Sequence, residues 1–161
     1  MSTSRKVVSL GKAVEIVSEW KTHGSQIVFS NGCFDLLHLG HIDYLEKAAQ
    51  KGDKLVIAIN SDDSVRGLKG ASRPMKGQEE RARLLAALQF VDLVLIFEDD
   101  TPIEPISAIV PNILVKGGDY EISNIVGADI VIENGGKVET IPFLAGFSTT
   151  SLVEKIIRDN S

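Results

Sequence analysis

The chain has 161 residues, which suits one domain with a substantial buried core, and 43% of them are hydrophobic against 24% charged. The formal net charge of -5 argues against a nucleic-acid partner, although a local basic pocket could still bind a small anion. A single cysteine, Cys33, excludes an internal disulfide framework. No apolar run is long enough to span a membrane, and no signal-peptide core follows the first residues, so we expect a cytoplasmic protein with no membrane partner.

The first predicted elements alternate between helix and strand. Apolar residues recur at helical spacing over 9–23, and we expect a helix there, in an N-terminal extension (1–24) packed on the domain. The β-branched and aromatic run 26–30 predicts a short strand that leads into the turn signal Asn31-Gly32. Apolar residues on one face of 41–51 predict the next helix.

The middle of the chain predicts three more strands. Segment 54–59 is apolar on both faces, which is typical of a buried parallel strand. Segments 92–97 and 112–115 are the third and fourth strands. The polar stretch after residue 59 is not assigned to a helix or a strand.

Helices are expected between and after these strands. One covers 78–88, with Leu84, Leu85 and Leu88 on one side, and another begins near Pro102. A last helix covers 149–158.

This alternation predicts the α/β class: a Rossmann-like, doubly wound, mostly parallel sheet in a single domain over residues 1–161. In such sheets ligands bind beyond the carboxyl ends of the strands, where the strand order reverses. Glycines and polar residues follow three of the predicted strands, at 31–41, 60–63 and 116–119. We therefore expect the functional site at that edge of the sheet.

Segment 31–41 has the features of a phosphate site. A glycine lets the backbone approach a ligand, and a helix starting near Leu39 presents unpaired N–H groups and partial positive charge. His38 and His41 share one face of the first turn and can donate hydrogen bonds to phosphate oxygens. A capping histidine and a metal pair are the alternatives, and the metal is disfavoured because no further His and no Cys pair completes a ligand set.

The segment Asn31-Gly-Cys-Phe-Asp-Leu-Leu-His-Leu-Gly-His41 resembles the signature of the HxGH nucleotidyltransferases, which include cytidylyltransferases and several small adenylyltransferases. The likeness runs from about residue 25 to the C-terminus. Within that superfamily the chain resembles the adenylyltransferase half of bacterial heptose-phosphate kinase/adenylyltransferases, in a stand-alone form. The blocks that carry this closer likeness are 68–74, 97–102, 114–120, 134–136 and 148–150.

The resemblance implies transfer of AMP from ATP to D-glycero-D-manno-heptose 1-phosphate, releasing pyrophosphate, on the route to lipopolysaccharide core sugars. It also implies Mg²⁺ with ATP and a homo-oligomer. Two alternatives stay open: a cytidylyltransferase acting on glycerol 3-phosphate or another small phosphorylated alcohol, and a non-catalytic nucleotide-sensing module. The Arg-Thr-Glu-Gly-Ile-Ser-Thr and Gly-Asp-Asp-Trp blocks of glycerol-phosphate cytidylyltransferases are replaced here by 143–149 and 116–120, which favours adenine.

Residue roles follow from the same resemblance. His38, His41 and Lys69 are expected to be catalytic, with Lys69 and Arg73 in a mobile Gly-rich loop that closes over the triphosphate. Asn31 and Asp35 are assigned to the sugar phosphate, a structural hydrogen bond being the alternative for Asp35, and no protein side chain is assigned to a metal. N-capping is the alternative role for the start of the last helix. The residues assigned to the nucleotide are Gly32, Cys33, Phe34, Gly40, Arg73, Lys116, Gly117, Asp119, Gly146, Ser148, Thr149 and Thr150.

Overall fold

The framework of the protein, seen in a computed structural model that describes residues 2–160, is a five-stranded parallel sheet. Its strands are β1 (Ile27–Gly32), β2 (Lys54–Asn60), β3 (Leu93–Phe97), β4 (Ile113–Gly117) and β5 (Lys137–Ile141). They lie in the order β3-β2-β1-β4-β5, and every pairing is parallel. The strand order reverses between β1 and β4, so the predicted doubly wound α/β fold is confirmed.

Helices cover both faces of the sheet. They are α1 (Leu10–Thr22), α2 (Leu39–Ala49), α3 (Asp62–Lys69), α4 (Gln78–Ala86), α5 (Ile103–Ile109), α6 (Ala128–Glu133) and α7 (Thr149–Asp159), with short 3-10 turns at Thr3–Lys6 and Ile122–Asn124. One core cluster joins α1, α5 and α6 through Val17, Ile106 and Val131, and the other joins α2 and α4 through Leu45 and Leu85. Over residues 2–160, none of the helices has the length and apolarity needed to cross a membrane.

The N-terminal residues are tied to the edge of the sheet. The Ser9 side chain caps α1 by accepting a hydrogen bond from the Lys12 N–H, and Ala13 and Val17 are buried in the core. The Val8 N–H donates to the carbonyl of Val94 in β3. Residues before β1 therefore help to close the core beside β3.

The polar stretch after β2 forms helix α3, which the sequence analysis did not predict. The Ser61 side chain caps this helix by accepting from the Ser64 N–H, and Gly70 follows its last residue with a φ of 96°. Lys69 is therefore the final residue of a helix, and the expectation that it lies in a Gly-rich loop is wrong. Its position is set by the α3 backbone.

Two of the three leucines predicted on one side of α4, Leu85 and Leu88, pack in or against the core, and Leu84 is the exception. Leu84 is 38% exposed, whereas Leu85 and Ala86 are fully buried. The large side chain beside them in the core is that of Arg81, which is also fully buried. The buried face of α4 therefore includes Arg81, Ala82, Leu85 and Ala86, and the prediction is wrong for Leu84.

Candidate active site

The carboxyl ends of β1 and β4 lie at a cavity of about 180 Å³, here called the histidine cavity. The first turn of α2, the end of α3 and the first turn of α7 also contribute to its lining. The predicted site residues that the structure brings together around it are Asn31, Gly32, Cys33, Phe34, Asp35, His41, Lys69, Lys116, Gly117 and Thr149. The reversal of strand order thus coincides with the predicted phosphate-handling segment.

Other predicted site residues do not line this cavity. They are His38, Gly40, Arg73, Asp119, Gly146, Ser148 and Thr150. Gly40 is buried, and a Cβ added there would lie 3.1 Å from ring atoms of His38 and from the Cβ of Phe147, so its role is steric. The Ser148 hydroxyl caps α7 in a capping box with Ser151. Gly40 and Ser148 therefore have packing and capping roles beside the cavity.

The two histidines of the motif stack on each other. Their ring centroids are 3.9 Å apart at an interplanar angle of 25°, and Phe34 meets His41 edge-on at 5.3 Å. Burial, the charges on His38 and Lys69, and an opposing contribution from the Leu36 carbonyl set the pKa of His41 at about 4. Burial also lowers the pKa of His38. Both rings are therefore neutral near pH 7.

Each of these rings keeps a buried nitrogen without a partner. Within residues 2–160, neither Nδ1 of His38 nor Nδ1 of His41 has a hydrogen-bond partner. Buried polar atoms are normally satisfied, and exceptions mark sites where a ligand or water binds. A neutral imidazole has one N–H donor and one acceptor nitrogen, so a ligand can determine which nitrogen carries the proton. The pair is suited to an anion that can accept a hydrogen bond.

The turn that joins β1 to the motif adopts an unusual backbone conformation. Phe34 has a φ of 48°, in the left-handed region that bulky residues rarely occupy. Its ring folds back over Gly32, where an added Cβ would lie only 2.9 Å from Phe34 Cε2. Gly32 is therefore required by the packing of Phe34. The surrounding structure must hold such a turn in place.

Arg81 holds this turn from inside the protein, and the sequence analysis missed it. Its Nη1 donates to the Cys33 carbonyl at 2.7 Å, its Nε to the Lys76 carbonyl at 3.0 Å, and its Nη2 to Asp62 Oδ1 at 2.8 Å. The side chain is 0% exposed. The available signal was its position four residues before Leu85, on the buried face of α4.

Asp35 fastens the segment after α3 to the same turn. Its carboxylate accepts from Arg73 Nη1 at 2.9 Å, from the Met75 N–H at 2.7 Å and from the Lys76 N–H at 3.0 Å. Burial alone would raise the pKa of Asp35, but the Lys76 N–H, Arg73 and the Met75 N–H together lower it. Arg73 therefore lies in a loop, as predicted, and in this structure that loop is tied to the turn through Asp35.

Two lysines supply positive charge at the mouth of the site. Lys69 is exposed at the end of α3, and Lys116 is half-buried at the end of β4. Burial lowers the pKa of Lys116, opposed by the nearby Cys33. Within residues 2–160 neither ammonium group is hydrogen-bonded or paired with a carboxylate. Both remain available to an anionic ligand.

Aromatic side chains that were not predicted complete the cavity. Tyr44 shares a 2.5 Å hydrogen bond with Ser30 Oγ and donates to the Val115 carbonyl at 3.0 Å. Burial raises the pKa of its phenol to about 12, opposed by the Ser30 bond. Phe143 packs so tightly that a Cβ added at Gly117 would lie 2.6 Å from its ring. Tyr44 follows His41 by three residues on α2, a spacing that places both on one face.

The reversal of strand order, with an HxGH motif at the start of α2, defines a nucleotidyltransferase fold and site. The chain belongs to the cytidylyltransferase-like family, whose model matches residues 29–154, and this confirms the resemblance seen in the motifs. It is 55% identical over 150 residues to the bifunctional protein HldE of Koribacter versatilis (strain Ellin345), covering 93% of this chain and 31% of that protein. It is 50% identical over 153 residues to HldE of Geobacter sulfurreducens, covering 95% and 31%.

These relatives are much longer than the chain, which spans about a third of their length. A crystal structure of the lipopolysaccharide core biosynthesis protein from Thermoplasma volcanium GSS1 is also similar, with a TM-score of 0.60 and 25% identity. That similarity covers 74% of this chain and 97% of the other. This structural similarity supports the fold described above, and the class of the chain rests on the family model.

Proposed function

We propose that the protein transfers AMP from ATP to D-glycero-D-manno-heptose 1-phosphate, giving ADP-heptose and pyrophosphate for lipopolysaccharide core sugars. The observation that carries the proposal is the histidine cavity, where the neutral ring of His41, stacked on His38, lies with two unpaired lysines and a helix N-terminus at the end of β1. Such a site suits a triphosphate. The motif blocks shared with the heptose enzymes, and the high identity to the HldE proteins, support this acceptor.

The chemistry is an in-line displacement at phosphorus. An ionised phosphate oxygen of the sugar 1-phosphate attacks the α-phosphorus of ATP, and the bond from that phosphorus to the α,β-bridging oxygen breaks. The bridging oxygen leaves with the electron pair as part of pyrophosphate. The nucleophile is already an anion, so no strong general base is needed. The protein has to bring two anions together and stabilise the charge of the transition state.

The side chains around the histidine cavity fit these tasks. A ring N–H of His41 and the N–H groups of the turn at Gly32 would donate to the α- and β-phosphate oxygens. The ammonium groups of Lys69 and Lys116 would offset the charge of the two phosphates. Negative charge beside His41 favours its protonated form, so binding of the triphosphate would raise its pKa from about 4.

Mg²⁺ is proposed to arrive with ATP. Within residues 2–160, no group of three or more His, Cys, Asp or Glu side chains could hold a metal ion. The carboxylate of Asp35 is already bound to Arg73 and two backbone N–H groups. The donor set therefore fits an ion held by phosphate oxygens and water, where it would neutralise charge on the triphosphate.

We also propose a cellular compartment and an oligomeric state for the protein. We place the reaction in the cytoplasm, where ATP and sugar phosphates are available, and we expect a homo-oligomer. Light scattering of the purified chain at several concentrations tests the second point. A mass equal to one chain at every concentration would contradict it.

Base selection provides the decisive test. The segments Lys116–Tyr120 and Phe143–Thr149 stand where glycerol-phosphate cytidylyltransferases have other blocks. Polar groups matched to one base are left unpaired by another, at about 1–3 kcal/mol for each group. We expect kcat/KM for ATP to exceed that for CTP at least about tenfold with heptose 1-phosphate. Pyrophosphate release is measured with ATP or CTP against heptose 1-phosphate or glycerol 3-phosphate.

The same assay separates the alternatives. Equal ratios or a CTP preference would contradict the adenylyltransferase assignment and leave the nucleotidyltransferase fold in place. Nucleotide binding without pyrophosphate release from any pair would favour the sensing module. Asp119→Ala is the internal control: Asp119 is exposed just after Gly118, and its loss should weaken binding of the nucleotide more than binding of the sugar phosphate.

A further inference from the structure

A second cavity, of about 480 Å³, adjoins the histidine cavity. We call it the amide cavity because Asn60 and Asn124 contribute to its lining, together with Asp100 and Thr101. It lies beyond the ends of β2 and β3, between α3, the start of α5 and the 3-10 turn Ile122–Asn124. The residues common to the two cavities are Asn31, Gly32, Cys33, Lys69, Lys116 and Tyr120.

The proposed reaction joins two substrates through their phosphates, and the two adjoining cavities share residues that could contact both phosphates. In an in-line displacement the entering and leaving oxygens lie on opposite sides of the α-phosphorus, and the substrates touch only through their phosphates. The attacking phosphate of the acceptor therefore approaches on the side of the α-phosphorus opposite the leaving pyrophosphate, and its sugar needs a space of its own beside that phosphate. Lys69 and Lys116 line both cavities, so they stand where the two phosphates would meet.

The linings of the two cavities differ in the chemistry that each can recognise. The histidine cavity has the aromatic rings of Tyr44 and Phe143, which suit the face of a base, and the histidine motif for phosphates. The amide cavity has a carboxylate, a hydroxyl and two amides in place of histidine. Sugar hydroxyls donate and accept hydrogen bonds, and carboxylates and amides are their natural partners.

Three polar side chains of the amide cavity are positioned for this role. Asp100 and Thr101 have no hydrogen-bond or ion-pair partner within residues 2–160, and both are exposed to the cavity. Asn60 is only 4% exposed, and its Nδ2 donates to Ser64 Oγ at 2.9 Å, which fixes the orientation of its amide. The carboxylate of Asp100 is free to accept from a hydroxyl, which gives a charge-assisted hydrogen bond.

We infer that the amide cavity binds the sugar of the acceptor, and that Asp100 and Thr101 select it through its hydroxyls. The inference rests on the proposed function, because it takes the acceptor to be a sugar phosphate. It places the sugar on the β2 and β3 side of the phosphates and the nucleoside on the β4 and β5 side. Asp35 and Asn31 are then left near the phosphates.

Calorimetric titration of the full chain tests the inference. The probes are D-glycero-D-manno-heptose 1-phosphate and α,β-methylene-ATP, and the variants are Asp100→Asn, Thr101→Val and Asp99→Asn. Loss of one hydrogen bond to a charged group should weaken binding of the heptose phosphate about tenfold or more in Asp100→Asn, with the ATP analogue within about twofold. Thr101→Val should act in the same direction. Asp99 is the matched control, because it is an exposed neighbour that does not line the cavity.

Two outcomes of the titration would contradict the inference. Weaker binding of the ATP analogue in Asp100→Asn would assign the amide cavity to the nucleotide and overturn the inference. Unchanged binding of both probes in Asp100→Asn and Thr101→Val would also overturn it. The proposed function is judged separately, from the acceptor that the wild-type protein turns over in the pyrophosphate assay. If that acceptor is another phosphorylated alcohol, the same comparison of Kd values is made with it and decides the role of the cavity.

Discussion

Replacing Arg81 with methionine is expected to cost both stability and rate. Methionine fills part of the same volume but donates no hydrogen bond, so the carbonyls of Cys33 and Lys76 and the carboxylate of Asp62 each lose a donor. Breaking a buried ion pair by removing one partner costs about 3–5 kcal/mol. The Asp62 side chain is 28% exposed and can recover water, which favours the lower end of that range.

Thermal melting measures the expected loss of stability as a lower Tm. For a domain of this size each 1 kcal/mol lowers Tm by about 2–4 °C, so Arg81→Met should melt about 6–12 °C below the wild type. Arg83→Met is the matched control, because Arg83 lies on the same helix, is exposed, and within residues 2–160 its side chain donates only to Thr3 Oγ1. It should melt within about 2 °C of the wild type. Equal melting temperatures for the two variants would refute the structural role assigned to Arg81.

An activity assay measures the expected loss of rate. Without the donor to the Cys33 carbonyl, the left-handed turn at Phe34 loses the guanidinium that fixes it beside the phosphates. A displacement of about 1 Å in a catalytic group can cost about a hundredfold in rate. We expect kcat of Arg81→Met, measured well below its melting temperature, to fall at least about tenfold. A normal kcat in the folded variant would show that the turn keeps its geometry without Arg81.

Two further substitutions separate catalysis from folding. His41→Asn should lower kcat about a hundredfold or more, through loss of a transition-state donor, and near-full activity in the folded variant would make the pair structural. Because the folded pKa of His41 is about 4 against 6.5 in the unfolded chain, the unfolded state binds the proton first, and wild-type stability should fall as pH drops from 6.5 toward 4. Urea titrations should show a smaller fall in His41→Asn. Lys69→Ala should lower kcat/KM for ATP and leave Tm within about 2 °C, since Lys69 is exposed and unpaired within residues 2–160. A large drop in Tm with normal kinetics would reject its place in the site.

The sheet could be predicted from sequence because the strand signals are local. Strands such as β2 and β3 are short apolar runs, and polar residues follow each at its carboxyl end. Helix α3 could not be found in this way, because its buried residues are only Ser64 and Val65. It is held by the cap at Ser61 and by the bond from Asn60 to Ser64, neither of which produces an apolar stripe.

The phosphate end of the site could also be predicted, because its residues are nearly contiguous in 31–41. The residues that were missed reach the site through the fold. Arg81 bonds to a carbonyl 48 positions earlier, and Phe143 meets Gly117 only after β5 pairs with β4. Contacts between residues so far apart along the chain leave no periodic pattern within one helix or strand. It becomes visible only when the strand order is known.

The cations of the site have two kinds of surroundings, and this division is the basis on which a chain of net charge -5 is proposed to bind anions. Arg73 and Arg81 are bound to carboxylates and carbonyls, so their positive charges are already paired within the protein and hold the turn in place. Lys69 and Lys116 have no partner within residues 2–160, so in the proposed reaction their charge would attract the substrates. His41 starts neutral, which limits repulsion of Lys69 in the free protein, and the approach of phosphate favours its protonation. In the proposed reaction a protonated His41 would add positive charge beside the phosphates, where it stabilises the transition state.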